Sequence, residues 1–209
     1  DVYKRQMNYN LEHYVYMNLV KLGHKVTFYG YRKKLGRLAN PIRMAITRSK
    51  LARDVGGLFW LNRINDEIKR IAETFCPDLV LSIKGEAVKP ETIEYIREEL
   101  SVKTALWYPD DPRFFNSLVR YIAPSYNFVF TASERAIPMY KEIGCRHVYF
   151  LPFACEETVH KRVNLTKEEK KKYETDVVFV GTYTPRRAKL INALEKSGLK
   201  VKVYGPYWR

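Results

Sequence analysis

Short apolar runs of four to six residues recur along this chain, each followed by a stretch whose apolar residues return at helical spacing. That alternation limits the fold more than any other feature. Strands separated by helices are joined by crossovers rather than hairpins, so they lie parallel, with helices on both faces of the sheet. The runs are Val26–Tyr29, Asp78–Ile83, Lys103–Tyr108, Asn127–Thr131, His147–Leu151, Asp176–Val180 and Lys200–Tyr204. Helical spacing predicts Leu11–Leu22, Leu58–Phe75, Pro90–Leu100, Pro112–Ile122, Glu134–Ile143 and Pro185–Lys196. Gly23, Gly144 and Gly198 fall where helix C-termini need a left-handed residue, and Pro90, Pro112 and Pro185 fall in first turns. The predicted class is α/β: a Rossmann-like doubly wound parallel sheet, whose ligands bind beyond the carboxyl ends of the strands.

The rhythm lapses once. From Pro152 to Glu174 the chain turns polar and charged, then a new strand–helix–strand unit begins at Asp176. This predicts a first domain over residues 7–152, a linker over 153–175 and the start of a second Rossmann-like domain over 176–209. One such unit cannot bury its own faces, so the second domain is expected to be truncated. A doubly wound domain also opens with a central strand, so a strand ahead of Leu11 is expected to be missing. The opening Asp1-Val2-Tyr3-Lys4-Arg5-Gln6 lacks an initiator Met and fits no element that follows, as a cloning or assembly scar would.

Composition narrows the function classes. No run of eighteen apolar residues is present, and no secretory leader pattern is visible, which reads as a cytoplasmic protein. Cys76, Cys145 and Cys155 are too irregularly spaced for a disulfide framework or zinc site and read as small buried residues. The net charge of +14 favours anionic partners. The densest run, Lys167 to Lys172, is interrupted by Glu168 and Glu169 and reads as a solvated helical turn. Arg32–Arg37 and Arg43–Arg53 fall in one early loop region, where a peripheral contact with anionic membrane is a further expectation.

Four strand-end loops are left as candidates for chemistry, because no dinucleotide, P-loop, nucleophile-elbow or zinc-protease motif occurs. In Trp107-Tyr108-Pro109-Asp110-Asp111-Pro112, Asp111 before proline reads as a helix N-cap or a cleft residue. Asp110 has no capping role and suits a general base that deprotonates an acceptor hydroxyl. In Lys84-Gly85-Glu86, Gly85 permits either an ordinary turn or a close ligand approach. In Gly181-Thr182-Tyr183-Thr184-Pro185-Arg186-Arg187, two arginines sit in a first helical turn, where the macrodipole disfavours cations unless an anion is bound. The fourth loop runs from Leu151 to His160, with His160 as either a surface or a cleft residue.

Together these stretches resemble the CgeB-like, spore-maturation family of GT-B glycosyltransferases. The resemblance is carried by Trp107–Pro112, Tyr126–Ala132, Leu151–His160, Asp176–Arg187 and Val203–Trp208, in that order, and covers most of the chain after Asp78. Gly23-His24-Lys25-Val26 also looks like the second-strand entry of such enzymes. The chain departs from the pattern at Cys155-Glu156, where an acidic residue followed by proline is expected. The resemblance implies two Rossmann-like domains facing across a cleft, with a glycan, lipid or protein acceptor on the first and a nucleotide-sugar donor on the second. No metal or other cofactor is implied, since basic side chains and helix dipoles neutralise the diphosphate. By this resemblance Gly181, Thr182, Arg186 and Arg187 border the donor phosphates, while Lys84, Gly85, Glu86, Asp110, Asp111 and His160 line the cleft. The piece in hand is then expected to be inactive alone. Two other readings stay open: a non-catalytic module for polysaccharide, anionic membrane or nucleic acid, and a hydrolase or epimerase sharing only the fold. Nucleic acid is disfavoured, because most aromatics lie on core faces.

Overall fold

A computed structural model describes residues 11–30, 50–113 and 115–208, in two compact units that divide between Glu156 and Glu157. The opening six residues, the basic stretch Arg32–Arg37 and the part of Arg43–Arg53 before Lys50 lie outside the described residues.

The first unit contains helices α1 (Leu11–Lys21) and α2 (Lys50–Phe75), followed by strand β1 (Leu79–Ile83) and helix α3 (Pro90–Glu98). Strand β2 (Lys103–Tyr108) leads to a π-helical turn (Phe115–Val119) that runs into the short helix α4 (Arg120–Ile122). Strand β3 (Phe128–Thr131), helix α5 (Ile137–Glu142) and strand β4 (His147–Phe150) complete it. The four strands form one parallel sheet in the order β1-β2-β3-β4, with Ile83 beside Trp107, Trp107 beside Phe130, and Phe130 beside Tyr149. This is a mixed α/β arrangement consistent with a Rossmann-like fold.

Spatial order equal to chain order has a consequence for the faces. Right-handed crossovers that all advance the same way put their helices on one side of a sheet. On that side Leu106, Tyr108 and Val129 pack with Ile93, Val119, Ile122 and Tyr140 in the main core. The opposite side carries Ala105, Trp107, Phe128, Phe130, His147 and Tyr149, with Phe130 and Tyr149 stacked at 5.7 Å and Tyr149 exposed. Among the described residues the crossover helices therefore lie on one face, and the buried Ala105 and Trp107 show that the other face is covered as well. Doubly wound packing needs a reversal of strand order, and the described strands contain none.

Two expected elements differ. Val26–Tyr29 is not a strand: among the described residues it has no ladder partner. Side chains hold the segment instead: the Tyr29 hydroxyl donates to the Glu67 carboxylate of α2 at 2.9 Å, and Lys25 Nζ lies over the Phe75 ring. Nor does a helix begin at Pro112: Asp111–Arg113 is a turn, and regular α-geometry starts only at Arg120. The cysteines also diverge from the sequence reading. Only Cys145 is buried, its thiol pushed up to about 11 by desolvation, whereas Cys76 and Cys155 are exposed.

The second unit holds helix α6 (Lys167–Tyr173), strand β5 (Val177–Val180), helix α7 (Pro185–Lys196) and strand β6 (Val201–Tyr204). Strands β5 and β6 pair in parallel, Val177 beside Val201 and Val180 beside Tyr204. Helix α6 lies inside the stretch read as a linker and begins with a full capping box, Thr166 and Glu169 each satisfying the other's backbone N–H. Among the described residues no helix is long and apolar enough to cross a membrane.

Candidate functional site

Three strand-end loops of the first unit meet at the carboxyl edge of its sheet. After β1 the backbone turns sharply, with Lys84 at φ +67 and Gly85 at φ +64. The Lys84 amide donates to the Trp107 carbonyl at 2.9 Å, which ties the turn to the end of β2. Its side chain points across the edge, where the ammonium forms a hydrogen-bonded ion pair with Asp110 Oδ2. Asp110 keeps 38 % of its side chain exposed, so its carboxylate is oriented from one side and open on the other.

Gly85 is where sequence reasoning left two roles open, and the geometry favours packing. It is buried, and a Cβ there would sit 3.2 Å from Leu106 Cδ1, 3.2 Å from the Tyr126 hydroxyl and 3.4 Å from Ile122 Cδ1. Gly85→Ala is expected to destabilise the first unit by about 1–3 kcal/mol, combining left-handed strain with crowding. Chemical denaturation of the two forms measures it, and equal midpoints would refute the packing role.

Asp111 does not cap a helix. Its Oδ2 accepts from the Thr131 hydroxyl at 2.6 Å and the Tyr140 hydroxyl at 2.8 Å, while Oδ1 is buried with no hydrogen-bond partner. The carboxyl is held above the ordinary aspartate range, chiefly by desolvation, with the two hydroxyl bonds opposing and the Asp110 charge adding to it. Burial likewise raises the Tyr140 phenol, and raises Tyr108 to about 12 with the charges of Glu86, Asp110 and Asp111 contributing.

The sign of the linkage follows. A carboxyl that binds its proton more tightly when folded stabilises the protein below its unfolded value, and that stability is lost as pH rises through the folded value. Asp111→Asn keeps an acceptor for both hydroxyls and removes the buried charge. It is expected to raise stability at neutral pH by about 0.5–1 kcal/mol, with wild type and variant converging as pH falls through the carboxylate range. Urea unfolding across that range tests this, and a variant less stable at neutral pH would contradict it.

Thr131 and Tyr140 are thus functional neighbours that the sequence reading missed; both look like ordinary strand and helix core residues. Glu156 is another. Its side chain is 2 % exposed and accepts from Asn18 Nδ2 at 2.7 Å and Lys21 Nζ at 3.3 Å, both on α1. The Trp107 indole donates to the Leu151 carbonyl at 3.2 Å, and the Leu151 amide to the Thr131 carbonyl at 2.8 Å, which fixes the loop leaving β4. Glu86 is exposed beside this edge. Lys84 pairs with Asp110, and the charges of Glu86, Asp110 and Asp111 all act on Tyr108, so the edge is locally acidic on a chain of net charge +14. It suits hydroxyl or amino groups better than phosphate.

The second unit carries the other candidate residues. Thr184 caps α7, accepting from the Arg187 amide at 3.2 Å, and Pro185 lies in the first turn, the position the sequence predicts for it. The Arg187 guanidinium folds back, donating to the Thr182 carbonyl at 2.7 Å and lying over the Phe179 ring, while Arg186 is exposed. Gly181 is clasped: its amide donates to the Tyr204 carbonyl, and its carbonyl accepts from the Trp208 indole, both at 2.8 Å. His160 is exposed and belongs to this second unit, whereas Asp110 belongs to the first. No group of three or more His, Cys, Asp or Glu that could hold a metal ion occurs among the described residues.

This chain is similar to Spore protein CgeB of Bacillus subtilis (strain 168), at 21% identity over 136 residues. The match takes in 65% of this chain but 41% of that protein, so the chain spans less than half the length of the relative. No family model matches the chain.

Proposed function

We propose that this chain belongs to a glycosyltransferase that moves a sugar from a nucleotide-sugar to a hydroxyl of a glycan, lipid or protein. The observation that carries the reading is the acidic carboxyl edge of the first unit. There a part-exposed Asp110 is oriented by Lys84 beside Asp111, whose carboxylate is held by two hydroxyls. A carboxylate fixed on one side and open on the other is what proton removal from an acceptor hydroxyl needs. Support from the second unit is of a different kind: a capped helix N-terminus with Arg186 exposed in its first turn suits a diphosphate. Arg187, committed to Thr182 and Phe179, orders that loop in this reading and contacts phosphate only after turning outward.

The competing reading, a module for polyanions, draws on the net charge of +14. Calorimetric titration of the full-length gene product with UDP, GDP, ADP and CMP, beside this chain, separates the two. Selective binding of one nucleotide by the longer protein is the expected result and names the donor class. No nucleotide binding, with salt-sensitive polyanion binding by both, would replace the enzyme by the binding module.

A further inference from the structure

The backbone at Lys84 is in an unusual state for its residue type. At φ +67 an L side chain crowds its own carbonyl, a conformation that glycine and asparagine tolerate and lysine does not favour. The next residue, Gly85, is also left-handed and is buried against Leu106 and Ile122, so the turn is braced from beneath. Strain held in place by its surroundings, at the carboxyl edge of a parallel sheet, points to a use for the side chain that bears it. The side chain spans from the end of β1 to the end of β2 and meets Asp110; only a quarter of it is exposed. A single ion pair between partly exposed groups adds little to stability, so the pair does not explain the strain energetically.

We propose that Lys84 is a positioning residue: the strained turn aims its ammonium at one oxygen of Asp110 and leaves the other directed at an incoming acceptor. The proposal rests on the transfer reading, with Asp110 as the base. An ammonium on one oxygen fixes the carboxylate plane and keeps it from rotating onto the neighbouring carboxyl of Asp111. It also offsets part of the negative charge that Glu86, Asp110 and Asp111 gather at one edge.

Three substitutions separate this role from a structural one. Lys84→Asn suits the left-handed backbone but removes the cation. Lys84→Met keeps the stem and the strain without charge, and Lys84→Arg restores a cation. With the full-length gene product and the nucleotide-sugar its nucleotide titration selects, Asn and Met variants are expected to lose about 10–100-fold in kcat with KM little changed. Arg is expected to recover much of that loss. The unfolding midpoint of the Asn variant should be unchanged or higher by about 2–4 °C. Asn or Met variants as active as wild type, or an Arg variant no better than Met, would overturn the proposal. A separate readout does not need turnover: proton–nitrogen spectra of the lysine ammonium groups in this chain. A slowly exchanging Lys84 signal that disappears in Asp110→Asn supports the clamp, and one that persists refutes it. If no nucleotide-sugar is turned over, the transfer reading fails, while this spectrum still decides whether Lys84 holds Asp110.

Discussion

Gly205→Ala is expected to abolish the native packing of the second unit while leaving the first folded. Gly205 sits at φ +143, a conformation L side chains rarely adopt. More decisively, a Cβ there would lie 2.1 Å from the Gly181 carbonyl oxygen and 2.6 Å from its carbon. Those are backbone atoms, and they cannot swing aside as a flexible side chain can. The Gly181 carbonyl is fixed by the Trp208 indole, its amide by the Tyr204 carbonyl, and Tyr183 donates to the Pro206 carbonyl at 3.0 Å. Making room for one methyl group therefore separates the loops after β5 and β6 and frees the Tyr183–Trp208 ring contact. A loss of more than about 3–4 kcal/mol follows, in the range reserved for core and backbone disruptions. The control is Gly198→Ala, at φ +89 with nothing within 4 Å of the added carbon. There only the conformational cost applies, about 1–2 kcal/mol. Amide spectra separate the outcomes: Val177–Val180 resonances should collapse in Gly205→Ala, persist in Gly198→Ala, and leave Lys103–Tyr108 unmoved in both. Intact β5 resonances in Gly205→Ala would show that the close approach of the two loops is dispensable.

The clasp also shows which parts of the molecule are legible in the sequence. Lys103–Tyr108 is a strand with the bounds its apolar run predicts, and Pro185–Lys196 is a helix with its predicted bounds and its proline in the first turn. Both are specified by neighbouring residues: a buried strand by its own composition, a helix by hydroxyl, proline and period. Val26–Tyr29 has the same composition as a strand but remains irregular, because a ladder needs a partner edge that the local sequence cannot report. Asp111 is the sharper case. Its neighbour Pro112 makes capping the natural local explanation, yet its carboxylate is taken by Thr131 and Tyr140, 20 and 29 residues away. With the aspartate so engaged, the helix expected from Pro112 yields its first turns to a turn and a π-helical segment. The family resemblance places Gly181 beside donor phosphates; the close approach observed there is that of the protein's own Gly205. Glu156 was noticed only as a departure from the motif and proves to be a buried carboxylate tied to α1. In each case the residue type was informative and the partner, distant in sequence, decided its role.

The same distinction separates the two adjacent aspartates and gives the functional prediction of largest effect. Asp110 and Asp111 share a loop but not an environment: one is part-exposed and paired with an ammonium, the other is bound by two hydroxyls and has its second oxygen buried. Under the transfer reading, Asp110→Asn removes the base and is expected to lower kcat about 10²–10⁴-fold, the usual contribution of general-base catalysis. Nucleotide affinity should be unchanged, because the nucleotide is read as contacting the other unit. Asp111→Asn retains an acceptor for Thr131 and Tyr140 and should keep most of the rate while gaining stability at neutral pH. Loss of rate in one variant and gain of stability in the other is a pattern that a merely structural loop does not produce. Steady-state kinetics on the full-length gene product, with each variant's unfolding curve measured beside them, provide the test. Equal rates for Asp110→Asn and wild type would remove Asp110 as the base, whereas a rate loss confined to Asp111→Asn would move that role into the buried carboxylate.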